Sequence, residues 1–307
     1  MLNFDILVLG SGAATPTFNR HCSAQLLNIC GSQILVDCGE ATQNQLRKYH
    51  CKFQAIKMVF ISHLHGDHFF GLPGLISTMH LCGRTEPLTV YAPKGAKAAL
   101  ELLFEVSATT LRFELTINEI DITEPVEIHR DNLYRVVAFP LKHSITTYGF
   151  LFEEIVPLLN LRPNVRTQYN MTNDDCVRVK QGGDLACPDG SVVPNAELTM
   201  PPRAPRRYAY CCDTAFDESL VPIIKGVDLL CLESTFDQAF ASLAEERCHC
   251  TASQAATIAA QAGVRQLMLT HFSARYNDIQ TLLDEALPVF PDTIAATDGQ
   301  RFVIESR

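Results

Sequence analysis

Short apolar runs and longer amphipathic stretches alternate along this chain. "FDILVLG", "SAQLLNI", "SQILVDCG" and "IKMVFISH" read as strands, with "EATQNQLRKYH" as a helix before the last of them. Beyond these, "LTVYAP" reads as a strand, "KGAKAALELLFEVSA" as a helix, "LYRVVAFPLKHS" as a strand ending at His143, and "TYGFLFEE" as a short strand. From Ile155 to Arg207 the periodicity fades into "NMTNDD", "KQGGD", "CPDG" and "PPRAPRR", which reads as an excursion of small hairpins rather than core. The alternation resumes with "RYAYCCDT", "VDLLCLEST", the helix "TASQAATIAAQAG", "RQLMLTH", the helix "DIQTLLDEALPVF" and the strand "RFVIES". This pattern predicts one α/β layered domain over residues 1–307, interrupted by an insertion at about 153–207.

Composition narrows the class. With 47 % hydrophobic and 19 % charged residues the chain is globular rather than disordered or fibrous. "MLNFDILVLGSG" lacks the basic n-region of a signal peptide, and no window approaches the roughly 18 consecutive apolar residues of a spanning helix. The expectation is a cytoplasmic protein with no membrane segment. Its twelve cysteines lie scattered in apolar runs such as "ILVDCG" and "VDLLCLES", so most are expected to be reduced and buried. A net charge of −9 argues against non-specific nucleic-acid binding over the whole surface. The insertion is an exception: seven basic and seven acidic residues make Glu153 to Arg207 neutral, while the remainder carries the whole negative charge.

The candidate chemistry begins at "FISHLHGDHFFGLPG", Phe60 to Gly74. His63 and His65 alternate at the end of an apolar strand, so both side chains point to one side. Asp67 and His68 follow at the expected start of a helix, after Gly66 permits a tight turn. A single histidine is more often a packing residue than a ligand, but H-x-H-x-D-H at a strand end is hard to explain by packing. Imidazole and carboxylate suit zinc and related metals. Four residues cannot complete two sites; His143, Asp213 and His271, each closing a later strand, are the further candidates, at the strand ends where open α/β sheets place their sites. Asp213 has two carboxylate oxygens with which to bridge a metal pair.

These segments, with "VDCGEATQ" (36–43), "PTFNRHCS" (16–23), "HSITTYGF" (143–150), "CDT" (212–214), "EST" (233–235), "HCTA" (249–252) and "LTHFSARY" (269–276), resemble in order the motifs of the ribonuclease Z family. That family consists of tRNA 3′-processing endonucleases of the metallo-β-lactamase fold. The resemblance implies a four-layer αββα sandwich with an inserted flexible arm that holds tRNA. It implies two zinc ions, other divalent metals being possible, one held by His63, His65, His143 and Asp213 and the other by Asp67, His68, Asp213 and His271. Asp67 would also be the proton acceptor as metal-activated hydroxide attacks the phosphodiester of precursor tRNA. His249, of the motif H-x-T, is the candidate general acid, with Glu233 as its orienter. Arg20, Arg162, Arg166, Arg206 and Arg207 are candidates for phosphate contacts, and a homodimer is implied. The chain departs from the family at Phe18, where it has lysine, at His21, where it has asparagine, at Leu232 and Cys250, and in an arm that lacks the Gly/Pro-rich tip.

A metal-dependent phosphodiesterase or other hydrolase of the same fold acting on a small molecule is the alternative reading. "GSGAAT" at Gly10 to Thr15 lacks the third glycine of a dinucleotide-binding loop, and "CHC" at Cys248 to Cys250 has no second cysteine pair at zinc-finger spacing.

Overall fold

The structure is a computed structural model that describes residues 3–156 and 158–306; Met1, Leu2, Pro157 and Arg307, which the expected domain and arm ranges include, lie outside the described residues. The strands are β1 (Phe4–Gly10), β2 (Ala24–Ile29), β3 (Ser32–Val36), β4 (Ile56–Phe60), β5 (Leu88–Pro93), β6 (Leu115–Ile120), β7 (Val126–Arg130), β8 (Tyr134–Leu141) and β9 (Thr147–Glu154). After them come β10 (Asn160–Leu161), β11 (Leu185–Ala186), β12 (Val192–Val193), β13 (Thr199–Met200), β14 (Arg207–Cys211), β15 (Leu229–Glu233), β16 (Leu267–Thr270), β17 (Thr293–Ala295) and β18 (Arg301–Val303). Two seven-stranded mixed sheets result, in the orders β18-β1-β2-β3-β4-β5-β6 and β17-β16-β15-β14-β9-β8-β7.

Burial on both faces explains why the strands of the first sheet read as continuous apolar runs. On β1, Phe4, Ile6 and Val8 face the core shared with the second sheet. Leu7 and Leu9 face a second core under the helices Thr42–Lys48, Gly71–Leu81 and Ala96–Val106, which supply Leu46, Leu72, Leu75, Ile76, Met79 and Leu100. The second sheet meets the first through Val136, Phe150, Phe152, Tyr208 and Tyr210, while the helices Ala252–Ala262 and Gln280–Ala286 add Ala255, Ile258, Ala259, Leu282 and Ala286 to the same apolar cluster. The layers are helix, sheet, sheet, helix, as expected. Among the described residues no helix is long and apolar enough to cross a membrane, and all twelve cysteines are free thiols.

Two expectations change. His143 and Asp213 do not end strands: β8 stops at Leu141 and β14 at Cys211, and each residue sits two positions further on, in the loop that follows. The insertion is also more than hairpins, because β10–β13 and β11–β12 pair as ribbons beside helices Val165–Gln168, Asn173–Lys180 and Asn195–Leu198. It has its own small core of Val165, Met171, Val179, Leu185 and Leu198. Helix Asn173–Lys180 starts from a capping box in which the Thr172 hydroxyl accepts from Asp175 N and the Asp175 carboxylate accepts from Thr172 N.

The root of the arm is an ion cluster. Glu154, last in β9, accepts from Arg203 Nη1 at 2.6 Å, Arg206 Nη2 at 2.6 Å and the Arg206 backbone N–H at 3.0 Å. Burial alone would push this carboxyl up, but the hydrogen bonds from Arg206 and Arg203 outweigh it and hold the pKa at about 2.

Candidate metal centre

Strand polarity gathers the candidate ligands. β3 and β4 run parallel, as do β14, β15 and β16, and Asp37, His63, Asp213, Glu233 and His271 all lie at or just beyond their C-terminal ends. The chain turns sharply there: Asp37, Asp213 and His271 have φ of 56°, 56° and 59°, a left-handed backbone that costs a non-glycine residue roughly 1–2 kcal/mol. Two glycines let the first-sheet loops close up. A Cβ on Gly39 would lie 2.2 Å from Asp67 O, and one on Gly71 2.0 Å from Gly39 O, so "DCG" and "FFG" each have a steric reason.

Asp213 divides its carboxylate. Oδ2 faces His63 Nε2 at 3.5 Å and His143 Nε2 at 3.7 Å. Oδ1 faces His68 Nε2 at 3.2 Å and His271 Nε2 at 3.1 Å. His65 Nδ1 is 3.3 Å from His143 Nε2, and Asp67 Oδ2 is 3.5 Å from both His68 Nε2 and His271 Nε2. Donors around one zinc with bonds of about 2.0–2.1 Å stand roughly 3.3 Å apart, so these separations are compatible with donors that surround metal ions. The donor set fits a metal pair on independent grounds too, because His63 Nε2 is buried and has no hydrogen-bond partner.

Electrostatics point the same way. Burial works against charge on His68, yet Asp213 and Asp37 outweigh it and hold that imidazole well above its ordinary range, which marks a position that favours a cation. Burial and the neighbouring His68 keep His63 well below its range, so a neutral lone pair is presented there. Burial opposes ionisation of Asp213, but His271, His68 and His63 hold it well below the carboxylate range. Asp67 is likewise lowered, burial being outweighed by His271 and His68, and its Oδ2 accepts Ala14 N–H at 2.7 Å.

Residues behind the candidate ligands fix the rings. Asp37 Oδ2 meets His68 Nδ1 at 2.6 Å and also accepts from Ser62 Oγ at 2.8 Å and Tyr210 OH at 2.7 Å. Cys248 O lies 3.1 Å from His143 Nδ1, and Thr235 Oγ1 3.0 Å from His271 Nδ1. Asp37 and Thr235 carry no role in the sequence reading; the available signal was an acid or hydroxyl just past an apolar strand. His249 lies beside the candidate ligands His143 and His271, its Nδ1 2.7 Å from Glu233 Oε1. Burial opposes its charge, but Glu233 raises its pKa to about 9. Thr251 of the same motif caps helix Ala252–Ala262, which fixes the loop that carries His249.

A cleft of about 420 Å³ opens over His65, Asp67, His143, Asp213, His249 and His271. Arg247 and Arg275, without a role in the sequence reading, also line it. The Arg275 guanidinium lies 4.2 Å and 5.0 Å from the ring centroids of Phe240 and Phe236. The five arginines proposed for phosphate contact are dispersed. Arg20 ties its loop to Ser273 O and Tyr276 O, while Arg162 and Arg166 are exposed on the arm. Arg206 is a correction: it is 4 % exposed, locked on Glu154 and donating to Ile304 O, so phosphate cannot reach it in this conformation. Arg207 is half-buried and paired with Glu153 at 3.2 Å. Phe18, where the family has lysine, is 99 % exposed.

Residues 4–157 match the model of the family described as Anti-Pycsar protein Apyc1. Over the full length the chain is 41 % identical to a Ribonuclease Z of Parabacteroides distasonis, covering 99 % of this chain and all of that one. It is 42 % identical to a Ribonuclease Z of Porphyromonas gingivalis, covering 98 % and 99 %. The chain belongs to the ribonuclease Z family. Among solved structures, human tRNase Z, short form, superposes with a TM-score of 0.72 at 29 % identity, covering 98 % of this chain and 99 % of that one. The metallo-β-lactamase fold protein YhfI of Bacillus subtilis, at TM-score 0.67 and 20 % identity over 98 % and 99 %, shares the fold. This ribonuclease Z relative thus has the metallo-β-lactamase fold read from its motifs.

Proposed function

We propose that this protein is a zinc-dependent endoribonuclease that removes the 3′ trailer from precursor tRNA and leaves a 3′-OH. The observation that carries the reading is the Asp213 carboxylate, one oxygen turned to each imidazole pair, in a chain related over its full length to proteins named Ribonuclease Z. His63, His65, His143 and Asp213 would hold one zinc, and Asp67, His68, Asp213 and His271 the other. Bound there, the pair supplies water ionised near neutral pH and neutralises phosphate charge.

The chain's own residues supply the rest. Asp67, anchored by Ala14 N–H, orients the attacking water and accepts its proton. Glu233 engages His249 Nδ1, which leaves Nε2 as the ring nitrogen that protonates the departing ribose oxygen. Glu233 is itself held by Thr214 N–H at 2.7 Å and by Thr235. Arg162 and Arg166, exposed on the arm, contact the tRNA backbone. The reading includes a cytoplasmic homodimer in which the arm of one subunit serves its partner; sedimentation of the purified protein measures its mass.

Mapping cleavage on a precursor tRNA, with and without chelator and with metal content measured, tests the proposal. Expected are a cut 3′ to the discriminator position, two zinc ions per chain, and loss of cutting in chelator. Zinc-loaded protein that hydrolyses a small phosphodiester and leaves the trailer intact would support the small-molecule phosphodiesterase instead.

A further inference from the structure

Two of the candidate ligands, one from each imidazole pair, are backed by the same buried carboxylate. His63 belongs to the pair facing Asp213 Oδ2 and His68 to the pair facing Oδ1. Behind both rings stand Ser62 and Asp37, neither accessible to solvent. Ser62 Oγ lies 2.8 Å from Asp37 Oδ2 and 3.0 Å from His63 Nδ1, and the Ser62 backbone N–H donates to Asp37 Oδ1 at 2.7 Å. Asp37 Oδ2 also meets His68 Nδ1 at 2.6 Å and, from the opposite sheet, the phenol of Tyr210 at 2.7 Å. The available protons fix the direction of every bond. A carboxylate only accepts, so His68 Nδ1 and Tyr210 OH each donate to Oδ2. Ser62 has one hydroxyl proton, and two oxygens 2.8 Å apart need a proton between them, so that proton points at Asp37. What Ser62 turns to His63 is therefore a lone pair, and the Nδ1 facing it must carry a proton. A neutral imidazole so protonated has its remaining lone pair on Nε2. In His63 that atom is buried, has no hydrogen-bond partner and lies 3.5 Å from Asp213 Oδ2.

We propose that Ser62 is a positioning residue: by accepting from His63 Nδ1 and donating to Asp37, it presents His63 Nε2 to the first metal position, while Asp37 itself presents His68 Nε2 to the second. The inference rests on the two-zinc reading above. One buried carboxylate then orients an imidazole in each position, directly in one case and through a hydroxyl in the other. The second sheet repeats the device. Thr235 Oγ1 donates to Glu233 Oε2 and lies 3.0 Å from His271 Nδ1, so a hydroxyl again stands between a buried carboxylate and a candidate ligand. Tyr210 braces the first relay: it lies on β14, and the strand that leads to Asp213 in front of the rings thereby also grips Asp37 behind them. Removing the Ser62 hydroxyl would keep Asp37 on His68 but leave His63 Nδ1 facing a methyl group, with nothing to choose between its two neutral tautomers.

The test is a proton–nitrogen NMR correlation of the full-length protein, labelled with the heavy nitrogen isotope in its ten histidine rings, before and after zinc loading. The His63 signals are identified by their loss in His63→Ala. In the wild type, His63 is expected to be neutral with its proton on Nδ1 in both states, and that proton should exchange slowly with water. In Ser62→Ala the metal-free protein should show a mixture of His63 tautomers, and one of the two zinc ions should be held about 10–100-fold more weakly, read by competition with a chromogenic chelator. Ser62→Thr, which restores the hydroxyl, should return both the Nδ1 proton and the wild-type affinity; a packing role would predict the opposite order, with alanine tolerated and the larger threonine not. A metal-free wild type with the His63 proton on Nε2 would overturn the inference. So would a Ser62→Ala protein with an unchanged His63 spectrum and two zinc ions bound as tightly as in the wild type, a result that leaves the two-zinc reading standing. A wild-type protein that takes up no zinc overturns both. Because the wild-type spectrum decides the tautomer, a variant that fails to fold does not remove the test.

Discussion

The Glu233 carboxylate is fully buried and lies 2.7 Å from His249 Nδ1, so the imidazole over the cleft has one nitrogen fixed and one free. His249→Ala is expected to slow single-turnover cleavage about 10²–10⁴-fold at unchanged zinc content. Near-normal cleavage in that variant would remove His249 from the mechanism. Glu233→Gln takes away the charge that raises His249 to about 9. An acid must be protonated to act, so the alkaline limb of the rate profile should move to lower pH in this variant.

Asp37 makes no contact with substrate in this scheme, yet it holds His68 Nδ1 and thereby sets which nitrogen faces the second metal position. Asp37→Ala is expected to weaken one of the two zinc ions about 10–100-fold, read by competition with a chromogenic chelator. Equal affinities in variant and wild type would reduce Asp37 to a packing role.

Glu154 joins the end of β9 to the returning end of the arm through Arg203 and Arg206. Glu154→Ala strands Arg206 in the interior and should cost about 3–5 kcal/mol in denaturant unfolding. The native carboxyl has a pKa of about 2 against an ordinary value of 4.5. Its contribution is therefore fully present above pH 4.5 and is lost as pH falls from there toward 2. A wild-type protein whose stability over that interval matches the alanine variant's pH dependence would contradict this.

The arm's small core makes a clean separation of functions testable. Val179 is fully buried there, and Val179→Asp places an unpaired charge in it. The variant should raise KM for precursor tRNA more than tenfold while hydrolysis of a small phosphodiester changes less than twofold. Parallel losses on both substrates would show that the arm supports the active site itself.

Much of this was legible in the chain because the strands that build the metal centre are buried on both faces and so read as unbroken apolar runs. β6, "LTINEI", and β7, "VEIHR", went unread: both lie at sheet edges with exposed positions and lack such a run. Helix Gly71–Leu81 hides behind "GLPG", whose proline sits in the first turn, where its missing N–H costs nothing. In the arm, "TNDD" contained a capping box that turn-forming residues masked. The burial of Arg206 depends on Glu154, 52 positions away in the chain, and no local pattern records such a pairing. The candidate metal-facing residues announced themselves as a cluster; Asp37 and Thr235, which stand behind them, did not.

The single carboxylate of Asp213 between two imidazole pairs also has a thermodynamic meaning. If two ions bind there as proposed, whatever the first does to the orientation of that side chain it does for the second, and the second returns the same coupling free energy to the first. A titration would then yield two stepwise constants for the pair, and their ratio would measure how strongly the shared aspartate couples the two positions.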